Sequence, residues 1–194
     1  MYMEHRLAVF FVEILNKKYQ RTELENAKMI YGLEVLLDNL LKVIFIVVLS
    51  LVLNIFKESM LVFLGFGVLR AKAGGFHFDK NIMCWIVSTL IPVGGGTLIS
   101  MNLITKNMAI LLILITLVII SLYAPSGTIN NPIAPENRKK YHMKSVGIVI
   151  LYLILTCIFW EIQIGATLAI GGICEAITIL PILNRKYNIT KAAR

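Results

Sequence analysis

Near the start of the chain, apolar residues recur at helical spacing: Leu7, Phe10, Phe11, Ile14 and Leu15. Glu4, Arg6, Glu13, Lys17 and Lys18 fall mostly elsewhere. The pattern predicts an amphipathic helix over 4–20, too charged to span a bilayer, lying on a membrane surface or on the protein's own cytoplasmic face. Residues 21–38 continue polar and helical, with Thr22 placed to cap and Glu25 three positions on. The pattern then turns to long apolar runs. The first spanning candidate is 40–56, whose only charge is Lys42, and the second is 59–69. The third is 82–101, interrupted by Pro92 and the glycines 94–96. The fourth is 108–123, the fifth 145–160 and the sixth 164–183, after a minimal turn at 161–163. Between the fourth and fifth runs lies a predicted loop, 124–144, with Pro125, Pro132, Pro135 and a basic end. The tail 184–194 is basic and expected to lack regular structure.

These elements predict an all-α polytopic membrane protein with six transmembrane helices, some short or kinked, plus an N-terminal amphipathic interfacial helix. It reads as one domain: 1–38 cytoplasmic or interfacial, 39–183 spanning, and 184–194 a cytoplasmic tail. The second run is the informative one. Only the positions 59–69 are uncharged between Glu58 and Arg70, whereas a span needs roughly 20 residues. Lys57 and Glu58 can snorkel at one end, so the segment after Arg70 is drawn to the membrane edge at the other.

Composition sharpens this picture. With 194 residues and 58% hydrophobic content, the chain has too many apolar runs for one soluble core. A net charge of +8 raises the possibility of nucleic acid, but the basic residues are spread through short loops, with no basic face studded with aromatics. Their distribution is a topology signal instead. Of 19 Lys and Arg residues, only Lys57 and Lys106 fall in the turns that six spans would place outside. Both termini and the 70–80 connection are therefore expected on the cytoplasmic side of a cell membrane. Of three cysteines, Cys157 and Cys174 sit inside apolar runs and read as free core thiols. The first residues lack a small-residue cleavage site, so no removable signal peptide is expected.

The candidate chemistry lies in 70–84, a polar and basic interruption holding Arg70, Lys72, Gly74, Gly75, His77, Lys80 and Cys84. An imidazole, a thiol and a flexible glycine pair are what a cysteine nucleophile needs, together with cations or a helix N-terminus to favour the thiolate. On one continuous helix His77 and Cys84 would be about 10 Å apart along the axis, too far for a hydrogen bond. A break is therefore expected, with Asp79 or Asn81 capping the third span and Gly74–Gly75 folding His77 back. The bland alternatives are an interfacial histidine serving backbone groups and a cysteine acting as a small apolar residue. Glu175 stands mid-span in the sixth run, where an ionisable group points either to function or to a buried polar partner. No cofactor and no metal site is expected.

The set Arg-x-x-Ala-Gly-Gly-x-His at Arg70–His77, followed by Cys84 at the start of the next apolar run, resembles the accessory gene regulator protein B (AgrB) family of Gram-positive quorum sensing. Tyr123-Ala-Pro125, Asn131-Pro-Ile133 and Arg138-Lys-Lys-Tyr141 add a weaker likeness. The resemblance implies a membrane cysteine endopeptidase and homodimer, with Cys84 as nucleophile and His77 as its base. The substrate it implies is a precursor peptide of the AgrD type, cleaved through an acyl-thioester and cyclised. It makes Arg70 an oxyanion donor, a holder of the substrate's acidic tail or a cation beside the thiol, unless Arg70 merely snorkels. Gly74 and Gly75 either supply positive φ or offer amides to an oxyanion. Arg138, Lys139, Lys140 and Lys144 become candidate docking charges for the acidic tail, or only a topology-setting positive loop, and Lys72 a binding or supporting cation. A residue orienting His77 is left open among Asp79, Glu34, Asp38 and Ser88. The rival function is a small transporter or channel, which the interrupted third run and the mid-span Glu175 would suit.

Overall fold

The computed structural model describes residues 3–16, 22–76, 81–127, 133–159 and 163–181. His77, Asp79, Lys80, Asn131, Pro132 and the tail beyond 181 lie outside the described residues. Seven helices are formed there: α1 (Met3–Asn16), α2 (Glu23–Val52), α3 (Phe56–Ala73), α4 (Asn81–Ser100), α5 (Lys106–Tyr123), α6 (Pro135–Ile158) and α7 (Ile164–Ile179). Four of them, α2, α4, α5 and α6, are long and apolar enough to cross a membrane. The chain divides into two compact units, Met1–Val48 and Leu49–Arg194.

The first unit holds α1 and most of α2. α1 buries the narrow stripe Ala8 and Val12 and leaves Leu7, Phe10, Phe11, Ile14 and Leu15 exposed. His5 reaches Glu34 on α2. The capping box read at Thr22 is formed: its backbone N–H donates to Glu25 Oε2 at 2.9 Å, and Glu25 N–H donates back to Thr22 Oγ1 at 3.4 Å. From that cap α2 runs unbroken for 30 residues, about 45 Å. The expected first span at 40–56 thus falls, as far as Val52, in the second half of one longer helix, and Phe56 already begins α3. Nothing in 23–39 breaks a helix, and the buried Lys42 is matched by Asp38 one turn back.

The second unit is a helix bundle with α3 and α7 at its centre. Within this unit these two lie outside the long apolar set, α3 because of Lys57, Glu58, Arg70 and Lys72, and α7 because it has only 16 residues. Their position explains why they escape that requirement. α3 packs on α4, α6 and α7, and α7 also packs on α5 and α6. Neighbours therefore cover Arg70 and Glu175, while Lys57 is exposed at the start of α3. The outer faces of α4, α5 and α6 carry the exposed Leu90, Leu111, Val118, Leu122, Leu151 and Ile154. The core joins Leu69 and Ala73 of α3 to Ala109, Ile113 and Ile120 of α5, Val149 and Tyr152 of α6, and Leu168, Ala169 and Ile179 of α7.

Glycines set the closest approaches. A Cβ on Gly171 of α7 would lie 2.7 Å from Phe66 N and 2.9 Å from Val62 O of α3. The same closeness corrects the expected interruption of the third span. α4 runs continuously from Asn81 to Ser100 through Pro92. The glycines serve packing there: a Cβ on Gly95 would meet Ile170 at 2.9 Å and one on Gly96 would meet Ser59 N at 2.9 Å. A bundle tolerates the proline because neighbouring helices re-satisfy freed backbone groups. Asn54 and Asn102, both at positive φ, end α2 and α4, with Ile55 N–H donating to Ser50 O (2.9 Å) and Leu103 N–H to Leu98 O (3.2 Å).

Two further expectations need correction. Most of the basic end of the predicted loop 124–144 is helical, because Pro135 at the first helical position and Glu136 beside it start α6 there. Cys157 is exposed on α6 and is no core thiol, whereas Cys174 is half-buried.

Candidate active site

α4 runs antiparallel to α3, since Gly95 and Gly96 near its end meet Val62 and Ser59 near the start of α3. α3 and α7 run parallel: Gly65 faces Leu168, Gly171 faces Phe66, and Arg70 reaches Glu175 and Thr178. The end of α3, the end of α7 and the start of α4 are therefore gathered at one end of the bundle. Arg70 and Cys84 both lie there.

The chain leaves α3 through Gly74 and Gly75, at φ +76 and +117. Neither conformation suits a side chain, and neither position has room for one. A Cβ at 74 would lie 2.3 Å from Ser126 O, and one at 75 would lie 2.6 Å from both Arg70 Nη1 and Thr178 Oγ1. This backbone is held from two sides. Gly74 and Ser126 form a parallel β-bridge: Ser126 N–H donates to Ala73 O (2.8 Å) and Gly75 N–H to Ser126 O (2.9 Å). On the other side Phe76 N–H donates to Thr178 O at 3.0 Å. Because the Gly75 amide is used in this way, the pair serves backbone conformation and close approach. Two residues before Ser126, the Ala124 carbonyl accepts from His142 Nδ1 of α6 at 2.9 Å.

Arg70 is the hub of the arrangement. Its Nη1 donates to Thr178 Oγ1 (2.6 Å) and to Glu175 Oε2 (3.3 Å), and its Nη2 donates to the carbonyl of Phe76. The guanidinium also sits over the Phe66 ring, 5.8 Å from its centroid. Thr178 Oγ1 lies within donating reach of Glu175 Oε2 at 3.1 Å. Glu175 is fully buried, and its Oε1 has no hydrogen-bond partner among the described residues. Of the two readings left open for Glu175, the geometry gives it a buried cationic partner. Arg70 is mostly buried, its guanidinium turned to Glu175, Thr178 and Phe76.

Cys84 is half-buried at the start of α4, with Ser88 Oγ 3.9 Å from its Sγ. His77, the expected base, lies outside the described residues. Among the other candidates for orienting it, Glu34 is paired with His5 and Asp38 with Lys42. Lys72 is half-buried in the last turn of α3, and Arg138, Lys139 and Lys140 are exposed in the first turns of α6. Among the described residues no group of His, Cys, Asp and Glu can hold a metal.

The sequence model for accessory gene regulator B matches residues 8–179. The chain belongs to the accessory gene regulator B family. Members of this family similar to it include the accessory gene regulator protein B of Staphylococcus aureus, 30% identical over 181 residues, covering 92% of this chain and 94% of that protein. That of Staphylococcus intermedius is 28% identical over 175 residues, covering 90% and 93%. An AgrB-like protein of Clostridium acetobutylicum is 28% identical over 178 residues, covering 89% and 85%. No solved structure matches the chain. In this accessory gene regulator B chain the apolar helices make a multi-pass membrane protein. The resemblance first read from 70–84 thus extends over nearly all of it. What motif reading missed is the support around the motif. Ser126, His142 and Thr178 carry no local signal, and only the ionisable Glu175 stood out.

Proposed function

We propose that the protein is a membrane-embedded cysteine endopeptidase that removes the C-terminal tail of a quorum-sensing precursor peptide of the AgrD type and closes the remainder into a thiolactone or lactone. The observation that carries this is family membership over residues 8–179 in a chain that has Arg70, Gly74, Gly75, His77 and Cys84 in the motif's spacing. Cys84 Sγ attacks one backbone carbonyl of the precursor, a C–S bond forms and the C–N bond breaks. His77 takes the thiol proton and returns it to the leaving amine. A thiol or hydroxyl of the substrate then displaces Cys84, which recovers the proton. Exchange of one thioester for another is nearly isoenergetic, so closure depends on positioning, and a site at the membrane edge keeps water from diverting the acyl-enzyme.

On this proposal α2 to α7 are the six spans and both termini are cytoplasmic. The charge bias supports that orientation, which puts the site on the side where the precursor is made. Arg138, Lys139, Lys140 and Lys72 meet the acidic tail, and the enzyme works as a homodimer in the bilayer. The continuous α4 and the pairing of Glu175 with Arg70 favour this reading over a transporter. The test is precursor-to-product conversion in liposomes. Cys84→Ala and His77→Ala should each abolish it while the protein still inserts. Full conversion by either variant would sink the peptidase assignment.

A further inference from the structure

We infer that Glu175 and Thr178, at the end of α7, are positioning residues for His77, acting through the Arg70 guanidinium on the backbone of Phe76. The inference rests on the peptidase proposal above and adds to it two residues more than 90 positions away in sequence. Phe76 is the residue before His77, and both of its backbone polar groups are taken. Its N–H donates to Thr178 O at 3.0 Å, and its carbonyl accepts from Arg70 Nη2. The point from which the chain departs for His77 is therefore fixed by α3 and α7 together.

Arg70 can hold that carbonyl only because its own position is fixed. An arginine side chain free at a helix end would retain much of its rotamer entropy. Here Nη1 is claimed by Thr178 Oγ1 and Glu175 Oε2, and a fully buried carboxylate demands a cation beside it. The planar fork then points its second nitrogen at Phe76. A lysine would satisfy Glu175 but could not bridge it to the carbonyl in the same way. Thr178 contributes twice, by its hydroxyl to Arg70 and by its carbonyl to Phe76. Gly75 is the counterpart that leaves the space open, since a Cβ there would meet Arg70 and Thr178 at 2.6 Å. If these contacts only tied helix ends together, their loss would not single out the histidine.

The test uses the full-length protein in liposomes with two readouts: kcat and KM on the precursor, and the rate of Cys84 alkylation by iodoacetamide across pH, followed by mass spectrometry. Thr178→Val and Glu175→Gln should lower kcat about 10- to 100-fold, the range expected for ångström misplacement of a catalytic group, with little change in KM. Thr178→Ser, which keeps the hydroxyl, should restore turnover. In a His77→Ala background, Thr178→Val should have no further effect on Cys84 alkylation, because what it acts through is already gone. An equal loss with and without His77, or wild-type kcat in Thr178→Val and Glu175→Gln, would overturn the inference and leave the peptidase proposal standing. Full turnover by His77→Ala would overturn both. Should Thr178→Val fail to insert, Arg70→Lys keeps the charge opposite Glu175 and loses the fork, and the same comparison with and without His77 decides.

Discussion

Gly75 shows how far single residues can be read and where reading stops. Two adjacent glycines before a histidine suggest positive φ, and the backbone has it, at +76 and +117. What presses on them cannot be seen locally: Ser126 O at position 74, and Arg70 with Thr178 at position 75. These partners arrive from α7 and from the segment after α5, brought in by the parallel packing of α3 and α7. Gly75→Ala should therefore combine backbone strain of about 1–3 kcal/mol with displacement of the Arg70 fork. Turnover should fall at least about tenfold in protein that still inserts, while Gly67→Ala, which meets nothing within 4 Å, should match wild type. Equal activity of the two variants would show that the 74–76 backbone is not held as described. The cysteines make the complementary case. Cys157 lies exposed near the end of α6, and Cys174, although it precedes Glu175 in sequence, packs against the core cluster that includes Val62 and Ile170. Cys157→Ser and Cys174→Ser should each keep most of the activity, and a large loss in either would mean a thiol role away from Cys84.

At the scale of elements, hydropathy located the helices better than it located their ends. The cap at Thr22 was legible because a capping box is local chemistry. The start of α6 was not, because proline and charge favour loops on composition, whereas Pro135–Glu136 at a helix start suits both residues. Pro92 and the glycines after it looked like a break for the same reason, and only the neighbouring helices reveal a packing surface. Small residues are where this bundle is least forgiving. On Gly171→Ala the new methyl would press on Phe66 N and Val62 O at 2.7 and 2.9 Å. Both are backbone atoms, so α3 and α7 must separate. Overpacking of this kind costs about 1–3 kcal/mol, and thermal unfolding in detergent should show a clear drop. Gly147→Ala, facing open space, is the control. Unchanged stability of Gly171→Ala would mean that the α3–α7 contact is looser than its glycines require.

For the molecule as a whole, the apolar runs announced a helical membrane protein, and the odd member, the short run 59–69 with charges at both ends, marked the segment that leads to Arg70. The reason is physical: only a helix screened by others can carry Arg70 and Lys72 and still sit among apolar neighbours. Its partner Glu175 was visible as an anomaly, but the pairing was not, because nothing in sequence joins positions 105 residues apart. The same screening bears on the chemistry. If Cys84 forms an acyl-thioester, replacing the precursor's ring-closing nucleophile with alanine should separate the two steps. Tail release should still occur once per enzyme, since the first attack does not involve that side chain. Ring closure should fail, leaving an adduct on Cys84 or slow release of linear acid as water replaces the missing group. The intact mass of the enzyme should rise by the acyl fragment, and hydroxylamine should remove it, as it does a thioester. The share of linear acid reports how well the membrane edge excludes water. Normal tail release with no adduct would mean that water attacks the peptide bond directly. The thioester route would then be wrong even where the peptidase assignment held.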